Sequence, residues 1–205
     1  MDDAASTLAT IALLWAAAAV APGPNFLLTT QTAISSGRAG GLKVALGLAC
    51  GSAFWGFAGF FGVQAVFKMV PWLYGALKIG GALYLLATGL RLTLRSFRRA
   101  PEARLSHGEG GGEFRSGLAI SIANPYSALS AASLFAATLP PTPPVWLGLA
   151  AVGLMSSIAI VWYGFVACAL TVGSAARIFR SLGHWVDRIA GLAFVVFGVR
   201  MAVRD

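Results

Sequence analysis

The chain has 205 residues, of which 58% are apolar and 11% charged, and its formal net charge is +8. Soluble domains carry about 25% charged residues, so most of this surface does not face water and lipid is the alternative solvent. The basic residues sit in short segments between apolar runs, which follows the positive-inside pattern and argues against nucleic acid as a partner despite a pI near 10.3.

Six segments have the roughly 20 mostly apolar residues that a membrane-spanning helix needs. The first covers residues 5–32 and is interrupted by Pro22-Gly23-Pro24. Its start resembles a signal peptide ending in Ala19-Val20-Ala21, but Asp2 and Asp3 stand where a signal needs positive charge, and Pro22 would follow the cut. A retained helix is expected. The second and third segments cover 42–67 and 71–94. Residues 95–113 follow, polar, Arg-rich and holding Gly108, Gly110, Gly111 and Gly112, as a flexible linker. The fourth segment, 114–139, contains Pro125. The uncharged turn Pro140 to Pro144 leads to the fifth, 145–172, and the sixth covers 184–203.

This predicts an all-α membrane protein of about six transmembrane helices in two inverted three-helix repeats. The first repeat is 1–95, a cytoplasmic linker is 96–113, and the second repeat is 114–205. Arg38, Lys43, Arg91, Arg95, Arg98, Arg99, Arg104, Arg115, Arg177, Arg180 and Arg188 put the odd connections in the cytoplasm. Gly47, Gly51, Ser52 and Gly56 recur at four-residue or near-four-residue spacing, as do Gly81 and others in the third segment. Such small residues let helix backbones approach in lipid. They serve an internal bundle or a homo-oligomer contact equally well.

The prolines carry the functional signal. Proline lacks the N–H that would bond the carbonyl four residues back. Pro22 and Pro24 free the carbonyls of Ala18 and Val20, Gly23 tolerates the distorted backbone, and Asn25 adds an amide. Asn124-Pro125 frees the carbonyl of Ser121. An unsatisfied polar group costs several kcal/mol in hydrocarbon, so such backbone survives only where protein or a wet cavity satisfies it. The breaks lie about 100 residues apart, each in the first helix of a three-helix set. A discontinuous helix in each inverted half points to a transporter whose site lies where the halves meet. The bland alternative is a pair of ordinary proline kinks.

Pro22-Gly23-Pro24-Asn25, then Gly37-Arg38-Ala39-Gly40-Gly41-Leu42 and Gly47, resemble the N-terminal signature of the LysE/RhtB family of amino-acid exporters, the LysE family translocators. The resemblance continues through Lys78-Ile79-Gly80-Gly81 with Tyr84, Leu85 and Gly89, then Phe114-Arg115-Ser116-Gly117 and Asn124-Pro125. It ends on Asp187-Arg188-Ile189-Ala190-Gly191 with Gly198 and Arg200, covering nearly the whole chain in order. It implies a secondary exporter of amino acids or close derivatives, driven by the proton motive force, in the inner membrane. Tyr126 stands where many relatives are expected to carry Lys. The expected substrate-binding residues are Pro22, Gly23, Pro24, Asn25, Asn124 and Pro125.

Proton coupling usually needs a titratable group in the membrane. Asp187 is the acid at a predicted span and is the candidate, though an acid in a first helical turn also stabilises the helix dipole. Lys78 reads as an interfacial anchor. Thr29, Thr30 and Gln31 either line a polar path or bond back to their own helix. With two Cys and two His, no CxxC and no nucleophile–His–acid set in the spans, no metal site, cofactor or enzymatic activity is expected. Two rivals remain: a thiol-redox carrier using Cys50 and Cys168, and a non-transporting membrane scaffold in which the breaks do nothing.

Overall fold

The computed structural model describes residues 2–21, 23–69, 73–95, 97, 112–140, 142–169, 185, 188, 189, 191–196 and 199. Among these the regular structure is helical throughout. In chain order the helices are α1 (Asp2–Val20), α2 (Pro24–Met69), α3 (Leu73–Arg95), α4 (Glu113–Ala123), α5 (Pro125–Thr138) and α6 (Val145–Ala169). Further helical positions lie between 185 and 199.

The apolar segments map onto these helices with one correction. Residues 33–41, expected to connect the first two segments, are helical except at Gly37. There φ is 72° and ψ is −176°, a conformation essentially restricted to glycine, and it kinks α2. The first segment is therefore α1 plus the part of α2 before Gly37. The fourth segment is α4 plus α5, bent by 57° at Asn124-Pro125. Asn124 is extended (φ −80°, ψ 106°), as a residue before proline prefers to be. Leu139, also before a proline, is extended and ends α5.

Pro24–Ala65 and Val145–Ala169 are each long and apolar enough to cross a membrane, and the bent α4–α5 pair is a third candidate. Large apolar side chains point outward on these helices, among them Leu46, Phe54, Phe57, Phe61, Leu149, Val161 and Phe165. Such a surface suits lipid and not water.

Two apolar clusters fill the interior. One joins Ile11, Leu14 and Trp15 of α1 with Phe60, Leu85, Phe135, Met155 and Phe194. The other joins Ala19, Phe26, Val44 and Leu48 with Ala159, Tyr163 and Val166. In the middle of the bundle, α2 packs on α6, on α4 and on α5, while α1 packs on α6.

The α2–α4 crossing has backbone against backbone. A Cβ on Gly47 would overlap the Phe114 carbonyl and lie 2.7 Å from the Leu118 nitrogen. A Cβ on Gly117 would overlap the Val44 carbonyl, and one on Gly51 would overlap Ser121. The third helix of the chain meets the C-terminal helical positions in the same way, since a Cβ on Gly89 would lie 2.6 Å from the Gly191 carbonyl oxygen. Lys43 Nζ lies 3.8 Å from Glu113 Oε2 beside the first of these crossings.

Overpacking such a contact costs about 1–3 kcal/mol. Gly47→Leu is expected to lower the thermal midpoint of the detergent-solubilised protein by several degrees or to abolish its monodisperse form. Gly153→Ala, where a Cβ meets nothing within 4 Å, should leave both unchanged in size-exclusion and melting measurements.

Candidate functional site: the two helix breaks

The breaks meet. Asn25, at the start of α2, and Asn124, between α4 and α5, are 99 residues apart in sequence, yet Asn124 Nδ2 donates to Asn25 Oδ1 at 3.5 Å. Asn124 is buried, and its Oδ1 accepts the Tyr126 N–H at 3.0 Å. That bond caps α5, with Pro125 at the first helical position, where its missing N–H costs nothing. Gly23 fills a similar place before α2, its carbonyl accepting the Leu27 N–H at 3.0 Å. Four of the expected site residues, Gly23, Pro24, Asn25 and Asn124, together with the backbone of Pro125, therefore lie at one junction. Pro22 and Asp187 lie outside the described residues.

The freed carbonyls find donors from across the bundle. Ser121 O, deprived of a partner by Pro125, accepts Trp55 Nε1–H from α2 at 3.0 Å. The Asn124 N–H adds a longer bond to it at 3.4 Å. At the other break the carbonyl served from outside is that of Ala19, which lies between the expected Ala18 and Val20. It accepts the Tyr163 hydroxyl proton from α6 at 3.2 Å. The reason for the difference is that α1 stops at Val20, so its last carbonyls lack intrahelical partners, while Ala17 O still accepts the Ala21 N–H at 3.2 Å.

A cavity of about 20 Å³ lies at the junction, room for about one water molecule. It is lined by Trp15, Ala18 and Ala19 of α1, Asn25 and Ser52 of α2, Tyr126 and Ser127 of α5, and Ala159 and Tyr163 of α6. No lining side chain carries a charge. The positive N-terminal ends of α2 and α5 and the negative C-terminal ends of α1 and α4 converge here. Opposed half-helix ends of this kind offer separate places for a carboxylate and an ammonium.

Thr29 takes the local option, its hydroxyl donating to Asn25 O at 2.9 Å. The side chain of Lys78 is outside the described residues. Cys50 and Cys168 form no disulfide, and Cys50 is exposed on the outer face of α2. Trp15, Ser52 and Tyr163 escaped the sequence reading because nothing local marks them. Their place follows from which helix faces pack together. The small-residue spacing that includes Ser52 signals helix packing and does not distinguish a place at the cavity.

Trp55→Phe keeps the ring and removes the N–H, leaving Ser121 O with one long bond. The expected cost is about 1–3 kcal/mol, seen as a lower thermal midpoint in detergent. Trp146→Phe, at an exposed ring, should leave the midpoint where it is.

The family model described as "LysE type translocator" matches residues 16–205. The chain is 28% identical over 201 residues to the threonine efflux protein of Escherichia coli (strain K12), covering 95% of this chain and 96% of that one. It is 24% identical over 198 residues to the threonine efflux protein of Salmonella typhi, covering 95% and 96%. It is 28% identical over 190 residues to the uncharacterized membrane protein YahN of Escherichia coli (strain K12), covering 88% and 82%. No solved structure matches. With a family match across nearly its full length, this chain belongs to the LysE type translocators and is a membrane transporter.

Proposed function

We propose that the protein is a secondary active exporter of amino acids or close derivatives, threonine-like solutes among them, across the inner membrane. In this reading about six transmembrane helices form two inverted three-helix repeats, 1–95 and 114–205, joined by the cytoplasmic linker 96–113. The solute site is central and built from Gly23, Pro24, Asn25, Asn124 and Pro125, with Pro22 beside them. The observation that carries it is the Asn25–Asn124 contact, which joins two helix breaks 99 residues apart beside a small uncharged cavity.

The capping pattern supports the repeat. In the first break the outside donor is an aromatic side chain on α6, and in the second it is an aromatic side chain on α2. Each donor therefore sits on the second helix of the opposite half. An antiparallel two-fold relation between halves produces such an exchange. The threonine efflux relatives support the substrate class.

A free amino acid is several times larger than the cavity, so loading requires the broken helices to move apart. The ammonium is held at the C-terminal end of α1 and the carboxylate at the N-terminal ends of α2 and α5. Neither requires a charged side chain, because oriented backbone dipoles act strongly where water is excluded. Coupling to protons is assigned to Asp187, in an antiport in which a proton enters as the solute leaves.

Proteoliposomes loaded with labelled amino acids test this directly, with and without an imposed pH gradient. Gradient-dependent efflux of one subclass is expected; no efflux from folded protein would remove the proposal. Asn25→Ala and Asn124→Ala are each expected to cut efflux at least tenfold at unchanged protein level. Asp187→Asn should retain solute exchange while losing its response to the pH gradient, and an unchanged response would exclude Asp187 as the coupling acid.

A further inference from the structure

Trp15, one of the residues lining the cavity at the breaks, carries a hydrogen-bond donor whose partner is missing among the described residues. Trp15 is 5% exposed and lines the cavity, and its indole Nε1–H bonds to nothing there. A buried donor left unpaired is costly, so its persistence at a cavity wall asks for a ligand acceptor. Ser52, also buried, lines the same cavity. Its hydroxyl proton is already committed to Leu48 O at 3.0 Å. What Ser52 Oγ still offers is its lone pairs. A donor-bearing and an acceptor-bearing residue thus line one small cavity.

The ammonium and carboxylate of an amino acid have other places, at the C-terminal end of α1 and the N-terminal ends of α2 and α5. What remains for the substituent on the α-carbon is the rest of the lining, which includes Trp15, Ala18, Ser52 and Ala159. That part of the lining is small, uncharged and mostly apolar. We propose that Trp15 and Ser52 form the side-chain subsite of this transporter and select a short hydroxyl-bearing side chain over its methyl isostere. The inference rests on the export reading and on the same site.

In the loaded site the hydroxyl oxygen of the solute accepts from Trp15 Nε1–H and its proton goes to Ser52 Oγ, while the adjacent methyl packs on Ala18 and Ala159. A methyl in the place of the hydroxyl leaves the indole N–H unpaired in a dry pocket. Sites built to bond a hydroxyl reject the analogue that lacks it far more strongly than apolar pockets reject an extra methylene. Side chains with a full charge meet no counter-charge here.

The test is competition in proteoliposomes, with labelled threonine against unlabelled threonine or valine, in the wild-type protein and in Trp15→Phe. The wild type is expected to favour threonine by about tenfold or more. Trp15→Phe is expected to bring that ratio towards one by weakening threonine alone. Equal weakening of both solutes would mean that the indole serves the shared zwitterion, and it would overturn the subsite. So would a wild type that does not separate threonine from valine. Should Trp15→Phe not fold, wild-type protein carrying ¹⁵N-tryptophan gives a second reading. One of the six indole N–H resonances is expected to shift with threonine and stay in place with valine; the same response to both solutes, or none, overturns the proposal. Efflux of no amino acid by folded wild-type protein removes the export reading, and the subsite with it.

Discussion

Two carbonyl groups, on Ala19 and Ser121, set the terms for the rest of this molecule. Both belong to helices that proline interrupts, and neither has a partner within its own helix. In hydrocarbon such a group costs several kcal/mol unless protein supplies a donor. The donors are a phenol on α6 and an indole on α2, reaching across from other helices. To deliver them, α2 and α6 must lie in the centre of the bundle, close to the breaks. That closeness in turn needs the small residues along α2, where Gly47 and Gly51 bring the helix onto the backbone and Ser121 of α4. Glycine spacing, aromatic placement and proline position are parts of one requirement.

The same requirement creates the site. The two apolar clusters adjoin at the breaks, where amide, hydroxyl and backbone groups form a seam between them. Four helix ends point at this seam, two of each polarity. A zwitterion matches such a field without any ionised side chain, and the desolvation cost of burying a lone charge is avoided. The cavity holds about a water molecule, so the arrangement described here is closed around its centre. Movement between halves changes the cavity and the two aromatic hydrogen bonds together, since the donors and the carbonyls lie on different helices.

Much of this was legible in the chain itself. Composition and apolar run length gave the helices, and proline chemistry located both breaks and correctly identified Ser121 as a carbonyl in need of a partner. The sequence offered Asn25 and Asn124 only as candidates at a site where the halves meet; their hydrogen bond comes from the structure. The connection between the first two apolar segments was misjudged, because its polar residues 33–41 read as a turn. Helix propensity in Ser, Arg and Ala carried the helix through, and Gly37 alone absorbed the change of direction. Trp15, Ser52, Tyr163 and the donor role of Trp55 were out of reach. An aromatic residue inside an apolar run looks the same whether it faces lipid, packs in a core or offers its one proton to a distant carbonyl. Only the packing of helices far apart in sequence separates these cases.

The exchange of donors bears on how the chain is made. Trp55 is inserted before Ser121 emerges, so the second break meets its partner as soon as it arrives. Ala19 must wait for Tyr163, 144 residues downstream. Through most of synthesis the first break has an exposed carbonyl in a half-built bundle. During that interval water, lipid headgroups or the insertion machinery must satisfy it. Biogenesis is therefore lopsided although the finished bundle is balanced: the N-terminal half is the part that depends on later sequence. A nascent chain stalled before α6 holds a complete set of early helices and still lacks the bond that closes the first of them.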